Sequence, residues 1–233
     1  MSQPRKLLVI DPSIAYPEDE GTAAILAAWN GDAIVCQPAL RPGDGPSPGF
    51  GYGVDGIVLM GSLASADDDV GWLHELSAWL QPVLNGTHAI PLFGICFGHQ
   101  LIAHRAGGTI GKVNSDGHQV LGVGRSVLEG CRLIPGRSEL LVVASHSEEV
   151  KALPSEYRVT ARRDGVPVDG FQHDRLPIFG VQFHPEARAN FLQSRGPVPQ
   201  AVDPQASVDG DRLIAAFLAL VRTAPQRAAT STD

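Results

Sequence analysis

The sequence predicts an α/β fold, with a mostly parallel central sheet flanked by helices and an antiparallel extension. Three observations carry this expectation. Apolar runs that read as strands alternate with helical patterns through the first half of the chain, the layout of successive βα units. Those runs are too uniformly apolar for a sheet with one wet face, so helices must cover both sides. From Thr109 to Val181 the pattern changes to short extended runs broken by turn residues, which read as antiparallel additions.

Taken in order, Lys6–Ile10 reads as a strand, Gly21–Trp29 as a helix, and Ala33–Gln37 and Gly56–Met60 as two more strands. A helix is expected at Gly71–Leu84, a strand at Ile90–Ile95, and a helix from Gly98 to Ala106 that Gly107-Gly108 ends. A last helix over Val208–Arg222 closes the fold. Residues 1–222 are expected to form one domain, and the Thr/Ala/Ser-rich 223–233 a disordered tail.

A chain of 233 residues supports one sizeable core, and 43% apolar residues is ordinary for a globular protein. A net charge of −7 without any Lys/Arg run argues against nucleic acid as a partner. Leu7-Leu8-Val9-Ile10 is too brief for a signal-peptide core, and no run approaches the roughly 20 apolar residues of a membrane span. The cysteines are Cys36, Cys96 and Cys131; an odd number fits the reducing cytosol, so a cytoplasmic location is expected.

Residues 41–53 hold five glycines and three prolines in 13 positions and read as a solvent-exposed connector. No strand feeds them and no helix leaves them, so they are a poor phosphate loop. Asp67-Asp68-Asp69 suit the N-terminus of the following helix better than a metal site. His74, His88, His99, His104, His118 and His173 show no ligand spacing. No metal or other cofactor is expected.

The most informative segment is Pro91-Leu92-Phe93-Gly94-Ile95-Cys96-Phe97-Gly98-His99-Gln100. A buried strand runs into a cysteine bracketed by glycines, and a helical pattern starts at once. This is the layout of a nucleophile elbow. The turn is sharp and strained, and side chains two residues either side of the nucleophile would meet backbone. The helix start also places the sulfur at the positive end of a dipole, which favours thiolate. The alternative is a buried structural cysteine in a Gly-rich turn.

His184 follows Cys96 by 88 residues, within Phe179-Gly180-Val181-Gln182-Phe183-His184-Pro185-Glu186. Val181–His184 reads as a strand end, stopped by Pro185. Side chains two apart in extended backbone point the same way, so Glu186 can hold one nitrogen of His184 while the other faces a thiol. A lone histidine before proline usually reads as a surface or core residue; coupled to the elbow, it reads as a base.

Four segments together resemble the class I glutamine amidotransferases, most closely the glutaminase domain of GMP synthetase and its free-standing relatives. They are Asp55–Ser62, the Cys96 elbow, Ser145–Val150 and Gly180–Glu186, in the family order over residues 55–187. The resemblance implies a flavodoxin-like sheet and hydrolysis of the glutamine side-chain amide through a cysteinyl thioester. Cys96, His184 and Glu186 would be catalytic, with Gly61, Ser62 and Phe97 supplying the oxyanion hole. Relatives often read Gly-Gly-Pro where this chain has Gly61-Ser62-Leu63; a Gly-Ser pair also occurs in free-standing relatives, including plant γ-glutamyl peptidases. Gln100, Ser145, His146 and Ser147 would hold the α-amino and carboxylate groups of the substrate. A polar β-turn is the other reading of Ser145 and His146, and Ser147 replaces a glycine common in the GMP synthetase version.

Three functions remain open on the sequence. The first is a subunit that supplies ammonia from glutamine to a separate ATP-dependent synthetase, since no P-loop or Ser-Gly-Gly nucleotide motif is present. The second is a stand-alone peptidase acting on γ-glutamyl peptides or conjugates. The third, a non-catalytic binding protein, does not account for the full Cys-His-Glu set.

Overall fold

The computed structural model describes residues 4–113, 119–195 and 202–225. Its elements run β1 (Lys6–Ile10), α1 (Asp19–Trp29), β2 (Asp32–Cys36), β3 (Gly56–Leu59), α2 (Gly71–Leu84), β4 (Leu92–Ile95) and α3 (Phe97–Arg105). There follow β5 (Thr109–Lys112), β6 (Val120–Leu128), β7 (Glu139–His146), β8 (Glu148–Ala152), β9 (Tyr157–Arg163), β10 (Val166–His173), β11 (Ile178–Val181) and α4 (Pro204–Thr223). Of the tail expected at 223–233, residues 226–233 lie outside the described residues, as does His118.

Nine strands form one sheet in the order β2-β1-β3-β4-β11-β10-β9-β6-β7. The pairs from β2 to β11 are parallel, and those from β11 outward antiparallel. Alternation along β1 and β3 sends Leu8, Ile10, Ile57 and Leu59 to one face, against Leu76 and Leu80 of α2 and Leu101 of α3. Leu7, Val9 and Val58 point the other way, against Ile25 and Trp29 of α1 and Leu213 and Phe217 of α4. Both faces are thus covered, as parallel strands require.

The region after Thr109 differs from expectation in two places. β5 and β8 do not extend the main sheet; they pair with each other as a separate antiparallel ribbon. β11 returns to the middle of the sheet, parallel to β4 with Val181 opposite Ile95. All four β11 residues are buried; such a strand is stable only between neighbours on both sides.

Two smaller expectations also change. The 41–53 segment has no helix or strand, but it is pinned rather than loose: Tyr52 stacks on Trp79 with centroids 5.1 Å apart and donates to the Trp79 carbonyl at 2.9 Å. Asp67-Asp68-Asp69 do not cap α2, whose N-cap is Val70 with no side-chain cap bond. Asp67 faces His104 at 3.2 Å, Asp69 faces His74 at 3.0 Å, and Asp68 accepts from the Ser65 amide at 2.9 Å.

Helix α4 fastens the far side of the fold. Asp203 accepts from the Gln205 amide at 2.8 Å, an N-cap with Pro204 at the first helical position. Buried Asp209 accepts from Arg137 and Arg212, each at 2.9 Å, and from the Leu141 amide at 3.0 Å, which ties α4 to β7. Gly210 lies so close to Pro185 that an added Cβ would stand 2.2 Å from its carbonyl oxygen. Among the described residues no helix is long and apolar enough to cross a membrane.

Candidate active site

The elbow is built as its residue types require. Cys96 sits between β4 and α3 at φ 50° and ψ −102°, a strained conformation for a residue with a Cβ. A Cβ on Gly98 would lie 2.1 Å from the Leu59 carbonyl oxygen, and one on Gly94 would lie 2.6 Å from the Gly98 backbone. Neither site tolerates a side chain, because backbone cannot give way. The reward is a sulfur fixed at the N-terminus of α3.

Register brings the histidine to it. The Cys96 amide donates to the Val181 carbonyl at 2.8 Å, so the segment leaving β11 passes directly beside the elbow. The His184 amide donates to the Val143 carbonyl at 2.8 Å, which holds this segment against β7. His184 Nδ1 then donates to Glu186 Oε1 at 2.8 Å, with side chains 3% and 1% exposed. His184 Nε2 is buried and makes no hydrogen bond of normal geometry; such catalytic contacts commonly tighten only around substrate.

Burial alone would discharge this imidazole. The Glu186 carboxylate and the Cys96 sulfur outweigh burial and raise the pKa of His184 to about 10. His184 therefore carries the proton at neutral pH, the state needed to hand it to a departing nitrogen.

Glu186 owes its seat to a glycine in α1. A Cβ on Gly21 would lie 2.6 Å from Glu186 Cγ, so the carboxylate packs against the first turn of that helix, where the dipole favours negative charge. Gly21→Ala tests this. Alanine normally favours a helix interior by about 1 kcal/mol over glycine, yet here it pushes Glu186 off the imidazole. The turnover number is expected to fall about 10²-fold, the cost of misplacing a catalytic group by an ångström, with the melting temperature little changed. Turnover equal to wild type in a correctly folded variant would refute the role.

The expected oxyanion donors surround the same point. Phe97 is the first residue of α3, where a backbone N–H has no intrahelical acceptor. Gly61 faces Cys96 and His184, since a Cβ there would stand 2.9 Å from His184 Cε1 and 3.6 Å from Cys96 Cβ. Ser62 donates its hydroxyl to the Pro12 carbonyl at 2.7 Å and accepts from the Ala64 amide at 3.1 Å, so the departure from Gly-Gly-Pro supplies an anchor for the loop.

The four expected substrate-binding residues separate. Ser145 lines a cleft of about 570 Å³ together with His184, Glu186, Gly61 and Ser62. Gln100, His146 and Ser147 do not line it. Gln100 is buried and donates to the Glu148 carbonyl at 2.6 Å and to Gln182 Oε1 at 3.3 Å. His146 Nδ1 donates to the Glu148 carbonyl at 3.0 Å, and Nε2 accepts from Arg163 at 3.2 Å. Burial, helped by Arg163, lowers its pKa to about 3, so it is a neutral structural linker here. Ser147 is an exposed bend whose carbonyl accepts from the Val113 amide at 2.9 Å.

Other residues at the site escaped the sequence reading. Gln182 donates to the Cys96 sulfur at 3.7 Å; the alternation that pairs His184 with Glu186 also includes it. Gln119 lines the cleft and donates to Ser145 Oγ at 3.0 Å. Phe191 packs its ring 4.5 Å from that of His184, and Glu18 and Arg195 close the same wall. No local pattern marks these last three. Among the described residues no group of three or more His, Cys, Asp or Glu is arranged to hold a metal.

The glutamine amidotransferase class-I family model matches residues 47–194, from the connector before β3 to the 3₁₀ turn beyond Glu186. The chain belongs to the class-I glutamine amidotransferase family. A glutamine-hydrolysing GMP synthase subunit from Pyrococcus abyssi is 41% identical over 98 residues, which cover 42% of this chain and 51% of that protein. The corresponding GMP synthase subunit from Archaeoglobus fulgidus is 35% identical over 136 residues, 57% of this chain and 67% of that one. The chain thus spans about half the length of the Pyrococcus relative. The crystal structure of a glutamine amidotransferase from Thermotoga maritima superposes with a TM-score of 0.73 at 17% identity, over 94% of this chain and 99% of that one. One from Methylobacillus flagellatus gives 0.72 at 18% identity, over 99% and 98%. At such identities these amidotransferase structures speak for the fold, and the family match for membership of the family.

Proposed function

We propose that this amidotransferase hydrolyses the side-chain amide of glutamine through a γ-glutamyl thioester on Cys96 and passes ammonia to a separate ATP-dependent synthetase. The observation that carries the proposal is the strained Cys96 elbow beside the buried His184–Glu186 pair. The sulfur attacks the amide carbon, and the oxyanion is held by backbone N–H groups at Phe97 and Ser62. The carbon–nitrogen bond breaks as His184 gives its proton to the nitrogen, which leaves as ammonia. The neutral imidazole then takes a proton from water, whose oxygen attacks the thioester and releases glutamate. Glu186 holds the ring in orientation and balances its charge in both steps. Ser145 and Gln119, hydrogen-bonded to each other in the cleft, are the polar side chains offered to the α-amino and carboxylate groups of glutamine.

The names of the relatives, glutamine-hydrolysing GMP synthase subunits, support the ammonia-supplying reading. A stand-alone γ-glutamyl peptidase is the second reading, favoured by a cleft that continues past His184. The two differ in what the isolated chain does. As an amidotransferase subunit it is expected to turn over glutamine weakly alone, about 10²–10³-fold below its rate with the synthetase, the loss that withholding one oxyanion donor until docking would cause. Steady-state glutaminase assays with and without the synthetase measure this. Full glutamine turnover with no partner present would count against the coupling.

A further inference from the structure

The Cys96 sulfur lies 3.7 Å from the Ser145 carbonyl and 3.7 Å from the Gln182 side-chain nitrogen, within hydrogen-bonding reach for an atom of its size. The two neighbours suit opposite charge states. A carbonyl oxygen accepts from a thiol but repels a sulfur that carries negative charge; an N–H does the reverse. Gln182 is 0% exposed, Gln100 behind it 4%, and neither lines the cleft. Burying a carboxamide costs free energy unless its groups are paired, and an apolar side chain would fill either place at lower cost. Two such residues in series beside the nucleophile call for an explanation.

The direction of both carboxamides is fixed by a single backbone atom. The Glu148 carbonyl can only accept, so the group that meets it at 2.6 Å is the Gln100 nitrogen. The same nitrogen donates to Gln182 at 3.3 Å, where only an oxygen can receive the proton. With its oxygen committed there, Gln182 turns its nitrogen to the sulfur. Reversing either amide would set like groups face to face. The main chain of Gln182 is held as well, its amide donating to the Asp169 carbonyl of β10 at 2.9 Å.

The second half of the reaction is where such a donor acts. Water attacks the thioester carbon and its proton passes to His184. The tetrahedral carbon then expels the sulfur: the carbon–sulfur bond breaks and its electron pair goes to sulfur. Negative charge builds there beside the Ser145 carbonyl, and a donor already aimed at the sulfur lowers the barrier.

We propose that Gln182 is a catalytic residue that assists release of the sulfur from the γ-glutamyl thioester, and that Gln100 is a positioning residue that aims it. This rests on the thioester chemistry proposed above. It departs from the family resemblance, which would give Gln100 to the substrate.

The test uses the full chain with glutamine and compares wild type with Gln182→Met and Gln100→Met, methionine being unbranched and close to glutamine in length. In Gln182→Met, kcat is expected to fall about 10–100-fold, the range for a hydrogen bond to a charged group. KM should fall with it, because slow release lets the thioester accumulate while its formation, read in kcat/KM, changes little. Rapid quenching should show a burst of ammonia approaching the amount of protein, and peptide mass spectrometry a γ-glutamyl group on Cys96. Gln100→Met should give the same pattern with a smaller loss, since Gln182 stays but is no longer aimed. A raised KM in Gln100→Met would return that residue to the substrate and overturn the relay. Reduced kcat/KM with no accumulated adduct in Gln182→Met would mean that this residue only packs against the nucleophile, and also overturns the proposal. Should Gln182→Met fail to fold, Gln100→Met decides alone on KM and adduct. Ammonia release that survives Cys96→Ala would instead break the thioester reading beneath the proposal.

Discussion

Cys96→Ala is expected to lower glutamine turnover about 10⁶-fold, the scale of loss when the nucleophile of a triad is removed. No other thiol can substitute. Cys36 is buried at the end of β2, where burial, followed by the nearby Asp44 carboxylate, raises its pKa to about 11 and keeps it an inert thiol. Cys131 belongs to the apolar cluster beneath α4 and has no elbow. Cys36→Ala and Cys131→Ser should both retain turnover, and a glutamine-like alkylating agent should label Cys96 alone. Peptide mapping of the labelled protein decides the matter: label that persists unchanged in Cys96→Ala removes the assignment.

Glu186→Gln is expected to cost about 10⁴-fold in turnover, because the ring keeps a hydrogen-bond partner but loses the charge that stabilises imidazolium. The pH dependence reveals the cause. In the wild type His184 stays protonated up to about 10, so turnover should persist through neutral pH and decline as that value is approached. Burial acts in the opposite direction; with Glu186 neutralised, the descending limb should move well below pH 10 and residual activity should improve towards acid. Stability has the same sign. A folded pKa raised above the unfolded value of 6.5 contributes stability fully present below that value and lost as pH rises through the folded pKa. The melting temperature of the wild type should therefore fall between pH 7 and 10 more steeply than that of Glu186→Gln. Unchanged limbs in kinetics and melting alike would detach Glu186 from His184. His184→Ala, which removes the proton carrier itself, should approach the loss of Cys96→Ala, and single losses within the triad should not add.

Much of the site is legible because its signals are local. Backbone geometry at an elbow depends on the residues within one turn of it, so Gly94, Cys96 and Gly98 announce the strain that φ 50° at Cys96 displays. His184 and Glu186 are joined by strand alternation, again a matter of two residues. The helix α2 was expected at Gly71–Leu84 and lies there, since a 14-residue amphipathic run leaves little freedom in period. The acidic triplet before it misled for an equally local reason: helix N-termini favour Asp, but α2 starts one residue later, with Val70 at the N-cap, and the three carboxylates face His104, the Ser65 amide and His74 instead.

The sequence by itself therefore determined the α/β class and the order of its βα units, because these depend on spacing within a few positions, and it singled out Cys96, His184 and Glu186 as candidates. Only the tertiary structure decided which polar residues face the cleft. Gln100 and His146 carry the right chemistry, but Glu148, Gln182 and Arg163 claim their hydrogen bonds. Glu18 and Arg195 carry no motif and are 177 positions apart, yet they meet in one ion pair. The physical reason is the path of β11. By returning to the sheet between β4 and β10, it places His184 at the elbow and delivers the residues that follow it, through Phe191 to Arg195, against the loop before α1.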